Sequence, residues 1–155
     1  MRFVSRVTRG MCYLCLWAVC GWSVLPAAHG EETGAPPKDS WPSFRNGLPQ
    51  LGVANNELPE KLELLWRHEA GQMVTATAAI VSGRVYIGTL KGDVLCLDLE
   101  TGNPIWKYRS IESDDPEEFA PGFNAAATVT DDSVYIGDED GVFHAINRKD
   151  GSGRW

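Results

Sequence analysis

Carboxylates are the residues most able to do chemistry in this 155-residue chain. Glu112, Asp114, Asp115, Glu117 and Glu118 fall between Ser110 and Gly122 with no cation among them, and Asp138, Glu139 and Asp140 form a second run. Grouped on one surface, they would recruit a cationic partner or hold Ca²⁺ weakly through their oxygens. The alternative is a solvated loop that keeps the protein soluble. Asp138-Glu139-Asp140-Gly141 lacks the twelve-residue ligand spacing of a calcium loop. His68 and His144 stand 76 residues apart, each amid strand-like residues, and imply no metal site. Ser, His and Asp occur without a Gly-x-Ser-x-Gly elbow, so hydrolase chemistry has no support. Gly151-Ser152-Gly153 reads as a turn and not a phosphate loop, because no helix follows it.

The cysteines are divided by a leader. Arg2, Arg6 and Arg9 form a basic start, no Asp, Glu, Lys or Arg falls from Met11 to Ala28, and Ala28 and Gly30 sit at minus three and minus one of a cut before Glu31. Residues 1–30 therefore read as a secretory signal peptide, with a retained anchor as the alternative and the one route to a membrane. Export implies a periplasmic or extracellular address. Cys12, Cys15 and Cys20 leave with the leader, so Cys96 has no partner for an intrachain disulfide. All 21 Asp and Glu then face eleven Lys and Arg, a net charge of −10. Nucleic acid is a poor partner for such a surface, since phosphate binding relies on clustered cations.

The elements that must position these groups repeat. Tyr86/Tyr135, Gly88/Gly137, Gly92/Gly141, Gly102/Gly151 and Trp106/Trp155 are each 49 positions apart, without a gap. A register shared by glycines and aromatics marks a blade-sized unit. The expected fold is all-β: a partial β-propeller of about two four-stranded antiparallel blades over residues 62–155. Leu62–His68, which ends like the repeats around Trp66, is read as an N-terminal closing strand. A two-sheet sandwich is the alternative. An incomplete ring leaves apolar sheet faces that call for the remaining blades of a parent chain. Residues 31–61 form a polar, proline-bearing arm. Within it, Trp41-Pro42-Ser43-Phe44-Arg45 either pins the arm to the domain or makes an ordinary loop.

Strands are expected at Val74–Val81, Arg84–Leu90, Val94–Leu99 and Pro104–Arg109, and again at Asn124–Thr130, Ser133–Asp138 and Val142–Asn147, with a cut final strand. Ser82-Gly83, Lys91-Gly92-Asp93 and Asp140-Gly141 supply turns. In Val94-Leu95-Cys96-Leu97 both faces are apolar, which a sheet with one wet side would not tolerate. Such a strand belongs in a sheet stacked between its own kind. Hairpin order then puts the second-to-third strand loop and the connection to the next blade on one rim. Both acidic runs meet there, flanked by Phe119 and Phe123, which would anchor a partner or tack the loop down.

At these residues the chain resembles a known family. Tyr-Ile-Gly, then Gly, then Leu-x-x-Asp-x-x-Thr-Gly-x-x-x-Trp is similar to the quinoprotein-type (PQQ-like) β-propeller repeat, over Leu62 to Trp155. The Trp41-Pro42-x-Phe44-Arg45 opening is also similar to secreted bacterial members. The resemblance implies a docking motif that locks neighbouring blades, here Trp66, Trp106, Trp155, Gly102, Gly151, Ala145 and Cys96, the last standing where the family has alanine. Ordinary core packing of Trp66 and Trp106 is the alternative. Asn147 and Asp150 also depart from the pattern. Members divide into quinone-dependent dehydrogenases, which use PQQ and Ca²⁺, and non-catalytic propellers such as that of the outer-membrane β-barrel assembly machinery. No adjacent cysteine pair is present and no catalytic residue carries over. The reading is an exported, non-catalytic propeller that binds or scaffolds protein, without a cofactor; a PQQ- and calcium-dependent alcohol or sugar dehydrogenase is the alternative.

Overall fold

A computed structural model describes residues 39–54, 56–113, 115 and 118–155. The chain divides into two compact units, Met1–Glu32 and Thr33–Trp155, and the second contains every residue described below. The leader expected at residues 1–30 lies outside the described residues, as do Asp114 and Glu117.

Seven strands follow in chain order: β1 (Ala79–Val81), β2 (Arg84–Gly88), β3 (Asp93–Asp98), β4 (Pro104–Arg109), β5 (Thr128–Val129), β6 (Ser133–Gly137) and β7 (Phe143–Asn147). β1 to β4 form one antiparallel meander and β5 to β7 a second. The register repeats with the sequence, since Tyr86 pairs with Cys96 and Tyr135 with Ala145. These are two blades of a partial propeller. The fourth strand of the second blade is a single bridge, Gly153 to Ile146, continued by hydrogen bonds between Ala145 and both Arg154 and Trp155.

The two-sided apolar strand is where the alternation puts it. One face of the first blade carries Tyr86, Val94, Cys96 and Trp106, buried against Phe123 and against Val129, Val134, Ile136 and Ile146 of the second blade. Its other face carries Val85, Leu95 and Leu97, covered by Trp66, Ala70 and Ala78. β3 is buried on both sides because its sheet is a middle layer. Small Ala79 and Ala127 are fully buried where β1 approaches β5.

β2, β6 and β7 are one or two residues shorter than the sequence predicts, and three other elements differ more. Val74–Ala78 and Asn124–Ala127 precede their strands without joining them. The approach to each inner strand is spent on loop contacts: Leu90 N–H donates to Met73 O, and Phe123 N–H to Thr89 O. Leu62–His68 forms no strand among the described residues; Leu62, Leu64 and Leu65 are exposed, and Trp66 is held by its indole N–H. Alternation prepares a segment for pairing, but a strand also needs an unpaired edge beside it.

The arm does attach. Trp41 and Ile80 exchange backbone hydrogen bonds (2.6 and 2.9 Å), and Val129 N–H donates to Pro42 O at 2.8 Å. Two residues thus bridge the inner strands of both blades. Phe44, by contrast, is 54% exposed.

Candidate functional site: the blade seam and its acidic rim

The seam is built from turn geometry. Asp98 closes the β3–β4 turn by accepting Thr101 N–H at 2.8 Å, and Gly102 N–H donates to Asp98 O. In the second blade Gly151 N–H likewise donates to Asn147 O, and Asn147 Oδ1 accepts Lys149 N–H at 2.9 Å as Asp98 Oδ1 accepts Glu100 N–H at 3.1 Å. Both glycines adopt positive φ, +71° and +78°, which side-chain-bearing residues enter at a cost. Their bare Cα faces are covered by indoles. A Cβ on Gly102 would sit 2.5 Å from Trp66 Cδ2, and one on Gly151 would sit 2.8 Å from Trp106 Cδ2. Each indole N–H donates to the carbonyl three residues before its glycine: Trp66 to Leu99 O at 2.9 Å, Trp106 to Arg148 O at 3.1 Å. Burying an indole of about 200 Å² is worth on the order of 5 kcal/mol before entropy, provided the N–H finds an acceptor.

Cys96 lies directly across the strand pair from Trp106 and is fully buried. Burial pushes its thiol up to about 11 against the opposing influence of Arg84. Ala145 occupies the equivalent place, also fully buried. Trp155 is 70% exposed and clusters with Tyr135 and Phe143, their ring centroids 6.2–6.3 Å apart. These three are the repeat equivalents of Tyr86, Val94 and Trp106, which the second blade covers.

Arg148 is a seam residue that the motif does not reveal, because its repeat equivalent is Leu99. Its guanidinium donates to Tyr86 Oη at 3.1 Å and to the carbonyls of Thr130 and Asp131. Arg84 in turn donates to Arg148 O at 3.0 Å.

The acidic rim is assembled in part. Glu139 N–H donates to Gly122 O at 2.9 Å, which ties the β6–β7 turn to the insertion carrying Glu112, Asp115 and Glu118. Those three, with Glu139 and Asp140, are exposed. Glu118 accepts from Ser113, and its carbonyl accepts from Arg109. The two phenylalanines separate: Phe123 is fully buried and tacks the loop down, whereas Phe119 is 73% exposed.

Asp138 corrects the rim expected from sequence. Its carboxylate is buried and faces inward, accepting from Val142 N–H at 2.8 Å and Asp140 N–H at 3.1 Å. Its second oxygen meets His144 Nε2 at 2.9 Å, and His144 Nδ1 meets Tyr108 Oη at 2.9 Å. Burial pushes the Asp138 carboxyl up, but the hydrogen bonds from His144 and Val142 outweigh it and hold the group below its usual range. The imidazole of His144 is thereby held at both ring nitrogens, by the Asp138 carboxylate on one side and the Tyr108 hydroxyl on the other. The chain of three spans the seam, from β4 of one blade to β7 of the next. The hairpin register, Gly137 opposite Phe143, was the available clue that residues 138 and 144 meet.

The Ca²⁺ implied by the dehydrogenase alternative would need several oxygen donors gathered at one point. Among the described residues, no group of three His, Cys, Asp or Glu side chains is placed to hold a metal ion. The most deeply buried rim carboxylate, Asp138, is already committed to His144. The described carboxylates therefore do not form a Ca²⁺ site.

Residues 60–155 match the family described as outer membrane protein assembly factor BamB. The chain belongs to that family. It is 30% identical over 101 residues to the outer membrane protein assembly factor BamB of Xanthomonas campestris pv. campestris, covering 61% of this chain and 25% of that protein. The chain thus spans about a quarter of the length of the curated relative it matches. Among solved structures, the quinohemoprotein alcohol dehydrogenase of Comamonas testosteroni is similar in fold. Its TM-score is 0.62 at 23% identity, over 78% of this chain and 19% of that one. BamB from Moraxella catarrhalis gives a TM-score of 0.48 at 23% identity, over 58% and 25%.

Proposed function

We propose that this chain supplies propeller blades to an exported, non-catalytic protein that binds or scaffolds a protein partner. The observation that carries the reading is the rim: Glu112, Asp115, Glu118, Glu139 and Asp140 exposed beside an exposed Phe119. Carboxylates around one aromatic suit a cationic protein surface with an apolar pocket, the charges speeding encounter and the ring supplying affinity. The BamB relative supports an assembly role, and the basic start and uncharged run of residues 1–30 support export to the periplasm. The half-buried Tyr135 with the exposed Phe143 and Trp155 is suited to a further blade that presents a glycine and a free carbonyl, as Gly151 and Arg148 do to Trp106.

Photocrosslinking from position 119 in a producing bacterium tests the reading. A salt-sensitive adduct with a basic envelope protein, absent when the crosslinker sits at Ile105, is the expected result. Dye-linked oxidation of alcohols after addition of PQQ and Ca²⁺, with no adduct, would overturn it.

A further inference from the structure

At the end of the seam opposite the acidic rim, the turns of the two blades enclose an open cleft of about 540 Å³. Arg84, Arg148, Lys149 and Arg154 line it, against two carboxylates, Asp131 and Asp132. Asp132 is taken by Arg154, Oδ2 to Nη1 at 3.1 Å. Among the described residues no ion pair reaches Arg84, Arg148 or Lys149. The half-buried guanidiniums of Arg84 and Arg148 are held in place by neutral acceptors alone: the carbonyls of Arg148, Lys149, Thr130 and Asp131, and the Tyr86 hydroxyl.

The cations are not part of the repeat. Counting back 49 positions, Arg148 becomes Leu99, Lys149 becomes Glu100 and Arg154 becomes Ile105; counting forward, Arg84 becomes Ser133. The corner where Trp66 meets Gly102 has the same turn without the charge. Seam formation therefore does not require four cations, and a chain of net charge −7 has concentrated them at one junction. Half-buried positive charges without an anion carry a desolvation cost that an incoming anion relieves. Guanidiniums fixed by carbonyls present their remaining N–H groups without further ordering, which suits planar or tetrahedral oxyanions.

We infer that this cleft is a binding site for an oxyanion, a carboxylate or a phosphate, clamped between Arg84, Arg148 and Lys149. The site is separate from the acidic rim and stands or falls independently of the partner proposed there. The Trp106 indole N–H, bonded to the carbonyl of the lining residue Arg148, is a reporter one hydrogen bond away from the cleft. Titration of the full ¹⁵N-labelled chain, once with inorganic phosphate and once with a tetraglutamate peptide, is followed at that indole resonance.

A saturable shift with either probe is expected, and the probe that binds more tightly identifies the source of the oxyanion. Lys149→Glu leaves the seam hydrogen bonds in place and should raise Kd about fivefold or more, as should added salt. Lys91→Glu makes the same charge change on the other rim and should leave Kd within about twofold, because screening confines a surface charge to roughly 10 Å. No saturable shift with either probe, or equal weakening by both variants, overturns the site.

Discussion

The Trp106 indole N–H donates to the Arg148 carbonyl at 3.1 Å while its ring lies over Gly151, three residues further along the same turn. Trp66 holds the same relation to Leu99 and Gly102. One side chain thereby reads both the position and the bareness of the neighbouring blade's turn. Two costs follow from altering that turn, and they separate. Gly83 has φ +72° with open space around it, so Gly83→Ala measures backbone strain alone, about 1–2 kcal/mol. Gly151→Ala adds a methyl that collides with Trp106, and should cost about 2 kcal/mol more, in the range of overpacking. Urea denaturation of the two variants gives the difference.

The Asp138 carboxyl, held below its ordinary range in the folded chain, makes stability depend on acid. A depressed folded pKa contributes stability above the unfolded value, about 3.9, that is lost as pH falls through the folded one. Asp98, Asp132 and Asp150 are depressed too, chiefly by the hydroxyls of Thr101, Ser133 and Ser152, and act in the same direction. Thermal midpoints measured from pH 7 to pH 2.5 should fall steeply below pH 5. Asp138→Asn should cost about 1–3 kcal/mol at pH 7, from the broken buried network, and flatten only part of the acid slope. An unchanged slope would remove Asp138 from the account.

Much of this architecture was legible because the repeat is strict. Tyr86, Gly102 and Trp106 recur at Tyr135, Gly151 and Trp155, and strands apolar on both faces demanded a stacked sheet. The features that escaped are those on which the repeats differ. Arg148 stands where the first blade has Leu99, so no periodicity points to it. In Asp138-Glu139-Asp140 three carboxylates read alike, yet the hairpin turns one inward onto His144 and leaves two in water. Leu62–His68 has the alternation of a strand, but pairing depends on an available edge that composition cannot show.

Cys96 should be chemically silent. A fully buried thiol raised to about 11 holds almost no thiolate at pH 8. With Cys12, Cys15 and Cys20 replaced by serine, a disulfide reagent should leave the native chain unmodified for hours and label one thiol at once in denaturant. Rapid labelling of the native chain would mean that the seam opens often.

Arg148→Met keeps the apolar stem but removes the donors to Tyr86, Thr130 and Asp131. Hydrogen bonds from a charged donor are each worth about 1.5–3 kcal/mol, partly offset by relief of guanidinium desolvation. A net loss of about 2 kcal/mol in urea denaturation is expected. No loss would make Arg148 a residue of the cleft and not of the seam.

Neighbouring blades are coupled through an indole seated on a glycine turn. A double-mutant cycle of Trp106→Phe and Gly151→Ala, read by urea denaturation, measures that coupling. A coupling energy of about 1–2 kcal/mol is expected, since each change disturbs the same contact; additivity within about 0.5 kcal/mol would show that the indole and the turn act independently.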